Sequence, residues 1–212
     1  MTRLGSWLSG ATLALTVASL GCGGGGSSSG PASITDVVPR DSAIAGWKID
    51  ATSSKTANVV AATATTEIDT ENLIDGAAAD FFAAPSTPKE FAWQNYVNAS
   101  LPSPNGATDG AKAKLYILQM PSAEQASSLY TALLQANLYV GNIWADPTSP
   151  VVGAKSRITD SGTDWWINFY KGSWYVEVRM TPSYGPSPDY TPGDATMKKA
   201  AMDFAVAVAA KM

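Results

Sequence analysis

The sequence predicts an α+β fold, a mainly antiparallel sheet with covering helices in a single domain over residues 31–212. Three observations carry that expectation. Ala113-Lys114-Leu115-Tyr116-Ile117-Leu118-Gln119-Met120 is apolar at every position from Leu115 to Leu118, the mark of a central strand. It runs straight into Pro121-Ser122-Ala123-Glu124-Gln125, where Ser122 and Gln125 stand at capping-box spacing. Asp164–Tyr170 and Trp174–Met180 flank a turn at Lys171-Gly172-Ser173 and read as a hairpin. A closing helix capped by Asp194 sets Met197, Ala201, Phe204 and Val208 on one side. Hairpins with helices between them favour helices gathered on one face of an antiparallel sheet.

In chain order, Ile34–Pro39 leads into a first strand over Ile44–Ile49, with Trp47 as a core anchor. Val59-Val60 marks a weak strand within a stretch of Ala, Thr, Val and Ser. Asp69–Phe82 reads as a helix capped by Asp69 or Thr70, with Glu71 in its first turn and Leu73, Ile74, Ala77, Ala78 and Phe81 on its apolar face. Gly76 within that face points to close approach by another backbone, since glycine there costs about 1 kcal/mol against alanine. Phe91–Val97 is an aromatic-rich strand, separated from the next by the turn cluster Leu101-Pro102-Ser103-Pro104-Asn105-Gly106. The helix after Ser122 buries Ala126, Leu129, Tyr130, Leu133 and Leu134. On the second arm of the hairpin, Trp174, Val176, Val178 and Met180 face the core, and Tyr175, Glu177 and Arg179 share the other face.

The amino terminus is organised around Cys22, the chain's single cysteine. Before it lie Arg3 and an apolar run from Leu8 to Leu20, shorter and more polar than a membrane span of about 20 residues, which is the layout of a secretory signal. The junction Ser19-Leu20-Gly21-Cys22 resembles a bacterial lipoprotein processing site, with Ser19 where leucine is usual and Leu20 one place later. Residues 1–21 are therefore expected to be removed and Cys22 to be lipidated. Ser19 and Gly21 also satisfy an ordinary signal peptidase, which leaves a simply secreted protein as the alternative. Residues 23–30 carry only glycine and serine and are expected to form a flexible tether reaching about 26 Å when extended. A single cysteine allows no internal disulfide.

Removing the first 21 residues leaves 191, enough for one self-sufficient core, and moves the net charge from −4 to −5 with the loss of Arg3. Mild acidity without a basic cluster argues against nucleic acid and against electrostatic docking on anionic lipid. The expected membrane contact is the lipid on Cys22, and the expected location is the cell envelope.

The order of these pieces, from Gly46-Trp47 through Asn72-Leu73-Ile74, Met120-Pro121-Ser122-Ala123-Glu124-Gln125-Ala126 and a hairpin turning at Lys171-Gly172, resembles an uncharacterised bacterial family, domain of unknown function 6599. The resemblance covers most of residues 37–212. Members of that family carry Asn-Gly-Ala-Ala-Glu where this chain has Asp75-Gly76-Ala77-Ala78-Ala79, with Asp80 one place later. The resemblance implies a fold and an envelope location and supplies no activity.

The absence of histidine removes the usual base of serine and cysteine hydrolases and the commonest zinc ligand. No cofactor motif or metal-ligand spacing is present. Ser53-Ser54-Lys55 meets the residue types of a serine–lysine pair within a polar stretch. Glu71 and Asp75, four apart on one helix, provide the paired carboxylates that glycosidic hydrolysis needs. As a plain helix surface they are a solvated acidic face. Trp166, Tyr170 and Tyr175 are positioned to project from the hairpin away from the core, where aromatic platforms stack on sugars and peptides, and they are ordinary core should helices cover both faces. Tyr184 and Tyr190 sit in a proline-stiffened loop of binding-site length. The expectation is a lipid-anchored, non-catalytic domain that binds a protein or glycan; the alternative is a carboxylate-dependent hydrolase.

Overall fold

The computed structural model describes residues 33–52, 62–74, 78–82, 87–101, 110–135, 141–161, 164–181 and 195–212. Cys22 with its leader and tether, Ser53–Lys55, Val59-Val60, Asp75–Ala77, Tyr184, Tyr190 and Asp194 lie outside the described residues.

The described elements are α1 (Ile34–Val37), β1 (Lys48–Ile49), β2 (Ala62–Ala64), α2 (Glu67–Ile74), α3 (Ala78–Phe82), β3 (Glu90–Asn98), β4 (Ala111–Gln119), α4 (Ala123–Ala132) with a 3-10 turn at Leu133–Gln135, β5 (Lys155–Asp160), β6 (Trp165–Lys171), β7 (Trp174–Thr181) and α5 (Ala195–Ala209). All seven strands join one antiparallel sheet in the order β1-β3-β4-β7-β6-β5, with β2 further along the β3 edge that also carries β1. This is the expected α+β architecture. β4 is central because β3 and β7 pair along its whole length, and that double pairing explains the unbroken apolar run Leu115–Leu118.

Local chemistry starts each helix. Ser122 is the expected N-cap of α4, accepting from the Gln125 backbone N–H at 3.2 Å, and its hydroxyl meets Gln125 Oε1 at 3.4 Å. α2 begins earlier than the sequence suggests: Thr66, not Asp69 or Thr70, is its cap, accepting from the Asp69 N–H at 3.2 Å and donating to the Asp69 carboxylate at 2.6 Å. Within the stretch read as one helix, residues up to Ile74 and from Ala78 to Phe82 are helical, and Asp75–Ala77 between them lie outside the described residues. β5 was not anticipated at all.

The helices do not gather on one face. Side chains alternate across the sheet, and both sides are apolar. On the first face Ala92, Leu115, Ile117, Ile167, Phe169, Val176 and Val178 pack beneath α1, Trp47 and α5. Phe204 of α5 is the plug there, edge-on to Trp47 at 5.5 Å and to Tyr96 at 5.0 Å between ring centres. On the second face Phe91, Tyr116, Leu118 and Tyr175 pack beneath Phe81 of α3 and Ala126, Leu129 and Tyr130 of α4. The connection from β4 through α4 to β5 passes over that face, which is why it is covered. Among the described residues, no helix is long and apolar enough to cross a membrane.

Candidate functional site: a buried row of charge on the second face

Antiparallel register brings Arg157 of β5 opposite Asn168 of β6, Asn168 opposite Glu177 of β7, and Glu177 opposite Tyr116 of β4. These side chains form one transverse row on the second face. Arg157, Asn168 and Glu177 are all 0% exposed, an unusual place for two ionised groups. They are joined by hydrogen bonds. Arg157 Nε donates to Asn168 Oδ1 at 3.0 Å, and Asn168 Nδ2 donates to Glu177 Oε2 at 3.0 Å. The Tyr175 hydroxyl donates to the same Oε2 at 3.3 Å, while Arg179 Nε pairs with Glu177 Oε1. Asn168 thus has its amide orientation set from one side by a guanidinium and from the other by a carboxylate.

Both guanidiniums lie against aromatic rings. The Arg179 carbon Cζ is 4.3 Å from the centre of the Trp166 ring and 5.0 Å from that of Tyr116. Arg157 Cζ is 4.1 Å from the Tyr130 ring and 5.0 Å from the Trp144 ring. Contacts of this kind contribute about 2 kcal/mol when desolvated. Burial pushes the Tyr116 hydroxyl above its ordinary pKa, opposed by Arg179 and assisted by Glu177 and Asp164. Burial likewise raises that of Tyr130, opposed by Arg157.

The hairpin aromatics singled out in the sequence all border this row. They are not an exposed platform. Trp166 is 7% exposed and Tyr175 0%, because α3 and α4 cover the face on which they project; Tyr170 is half-buried and meets Tyr130 edge-on at 5.4 Å. Tyr175 is consequently a hydrogen-bond donor inside the row, out of reach of a partner. Of the paired carboxylates, Glu71 lies on α2, where only its backbone is described, and Asp75 lies outside the described residues, as do Tyr184 and Tyr190.

Arg157, Asn168, Trp144 and Tyr116 went unnoticed in the sequence. The signal was present in two places: Asn168 is the one uncharged polar residue inside the apolar run Trp165–Tyr170, and Glu177 and Arg179 alternate with apolar residues on a strand buried on both faces. Comparison of the chain with protein-family models, with curated proteins and with solved structures gives no match. The chemistry of the row therefore rests on its own geometry.

Both oxygens of Glu177 accept from donors within the row, so the carboxylate anchors its neighbours. The row reaches solvent at one end. Arg179, 16% exposed at its side chain, stands beside exposed Lys114, its register partner on β4, and beside Trp166 on β6. On the opposite face, a groove of about 460 Å³ lies between Ala43–Trp47 and α5, with Lys199 and Asp203 at its rim paired to each other at 2.5 Å. Among the described residues, no group of three or more acidic or cysteine side chains could hold a metal ion.

Proposed function

We propose that this chain is an exported cell-envelope protein, anchored by lipid on Cys22, whose α+β domain is a non-catalytic binding module for a protein or glycan partner. Kinship with domain of unknown function 6599 belongs to the same proposal. The observation that carries the binding reading is the Arg157–Asn168–Glu177–Arg179 row. Buried ionised groups cost several kcal/mol to desolvate, and a well-packed apolar row is often as stable, so a purely structural scaffold gains little from it. A binding module gains a guanidinium held rigidly at a rim and stacked on Trp166. The engagement of both Glu177 oxygens within the row favours recognition over turnover.

The test uses the full chain expressed in a bacterial host and labelled with palmitate. Wild type is expected to incorporate label and partition with detergent, and Cys22→Ala to do neither; an unlabelled wild type refutes the anchor. Cross-linked capture from isolated envelopes is expected to yield a partner with wild type and to fail with Arg179→Ala. Equal capture by both proteins refutes the rim as the binding surface.

A further inference from the structure

Arg157 differs from Arg179 in one decisive respect. Its Nε is satisfied by Asn168, yet Nη1 and Nη2 are buried with no hydrogen-bond partner, and the residue forms no ion pair among the described residues. Four of its five N–H donors are thus unspent. The rings of Tyr130 and Trp144, with centres 4.1 and 5.0 Å from Cζ, compensate the charge in part. Beside it the Tyr130 hydroxyl is also buried with no partner, and burial raises its pKa, so it remains a donor at neutral pH. Each unmet buried donor costs about 1–3 kcal/mol, more for a charged group. A cluster of such donors is a place where an acceptor belongs.

We propose that the Nη1/Nη2 edge of Arg157, with the Tyr130 hydroxyl as a third donor, binds the carboxylate of a small organic acid. The guanidinium fork matches a planar carboxylate through two parallel hydrogen bonds. One unpaired guanidinium calls for one negative charge, and Glu177, joined to Arg157 through Asn168, and Asp146, whose charge acts on Tyr130, oppose a second, which disfavours the dianion of phosphate. Lys155, 5.8 Å from the centre of the Tyr130 ring, is held by Asp146 at 3.4 Å and does not change that balance. The ligand approaches past half-buried Trp144, whose neighbour Ile143 is 89% exposed.

This inference rests on reading the domain as a binding module and is tested separately from it. The full chain in detergent is titrated calorimetrically with benzoate, acetate and inorganic phosphate at constant ionic strength, beside Arg157→Lys and Tyr130→Phe. Saturable benzoate binding is expected in wild type, at least about tenfold weaker in Arg157→Lys, the equivalent of one charged hydrogen bond. Tyr130→Phe keeps the ring, removes only the third donor, and is expected to weaken binding about threefold to tenfold; it carries the test should Arg157→Lys fail to fold. Phosphate is expected to bind less tightly than benzoate. Absence of saturable carboxylate binding, or equal binding by wild type and Tyr130→Phe, overturns the proposal. If envelope capture persists in that case, the binding-module reading survives alone; if capture also fails, both fall.

Discussion

Replacing Glu177 by glutamine tests the buried row directly, because the change alters charge and one acceptor while preserving shape. The carboxylate accepts from Asn168 and Tyr175 on Oε2 and from Arg179 on Oε1. Glutamine keeps one acceptor oxygen and presents an NH₂ in the other direction. If the NH₂ faces Arg179, a charged donor loses its acceptor and meets another donor. If it faces Asn168, that amide cannot turn to accept, because its Oδ1 is already held by Arg157 Nε. Either way one charge-assisted bond is lost and one buried donor is orphaned. Such a loss costs about 3 kcal/mol, the lower end for removing one partner of a buried ion pair, since Arg179 keeps some contact with water. Urea unfolding followed by tryptophan fluorescence and circular dichroism measures it as a shift in midpoint at constant slope. The double variant with Arg179→Gln is expected to fall short of the sum of the single losses by about 1 kcal/mol or more. A loss for Glu177→Gln below about 1 kcal/mol, with the slope unchanged, refutes the network as described.

Three further outcomes follow from the packing. Phe204→Ala empties the plug between Trp47 and Tyr96 and is expected to cost about 3–5 kcal/mol in the same urea assay. Gly153 has φ +68°, and a Cβ there would lie 2.4 Å from the Tyr170 carbonyl oxygen that receives the Ala154 N–H, so Gly153→Ala is expected to cost about 1–3 kcal/mol. Burial raises the pKa values of Tyr96, Tyr116 and Tyr130. Below pH about 10 each stays protonated in both the folded and unfolded states and adds no pH dependence. Above it the unfolded chain binds fewer protons, so stability falls by up to about 1.4 kcal/mol per pH unit per tyrosine. Urea unfolding between pH 9 and 11 checks the slope, which Tyr96→Phe is expected to reduce.

Which elements were legible in the sequence depended on whether their signal was local. The α4 N-cap formed as read because Ser122 and Gln125 need only their own turn to meet. The β6–β7 hairpin was equally readable, since Lys171-Gly172-Ser173 lies between two strands of strong β propensity, and Gly172 does adopt positive φ. The start of α2 was misplaced because Asp69, read as the cap, serves instead as the acid that receives the Thr66 hydroxyl. β5 was invisible because Lys155-Ser156-Arg157-Ile158-Thr159-Asp160 is polar at five of six positions and becomes a strand only by pairing with β6.

The site divides in the same way. Alternation along β7 by itself set Tyr175, Glu177 and Arg179 together on one face, and alternation along β6 did the same for Trp166 and Tyr170. Whether that face met water or protein was not a property of either strand. It was decided by the path of β4 to β5, which carries α4 across the sheet and turns a supposed aromatic platform into a second core. Nor could spacing in the chain join Arg157 to Glu177, because their link runs through Asn168 and depends on the register of two strand pairs. The sequence by itself determined the α+β class, the start of α4, the hairpin and the side-chain parity of its strands, all of which depend on neighbours within a few residues. Only the tertiary structure decided that charge is buried, which aromatic rings flank it and which donors remain unspent, because burial and partnership at long range are properties of the packed sheet.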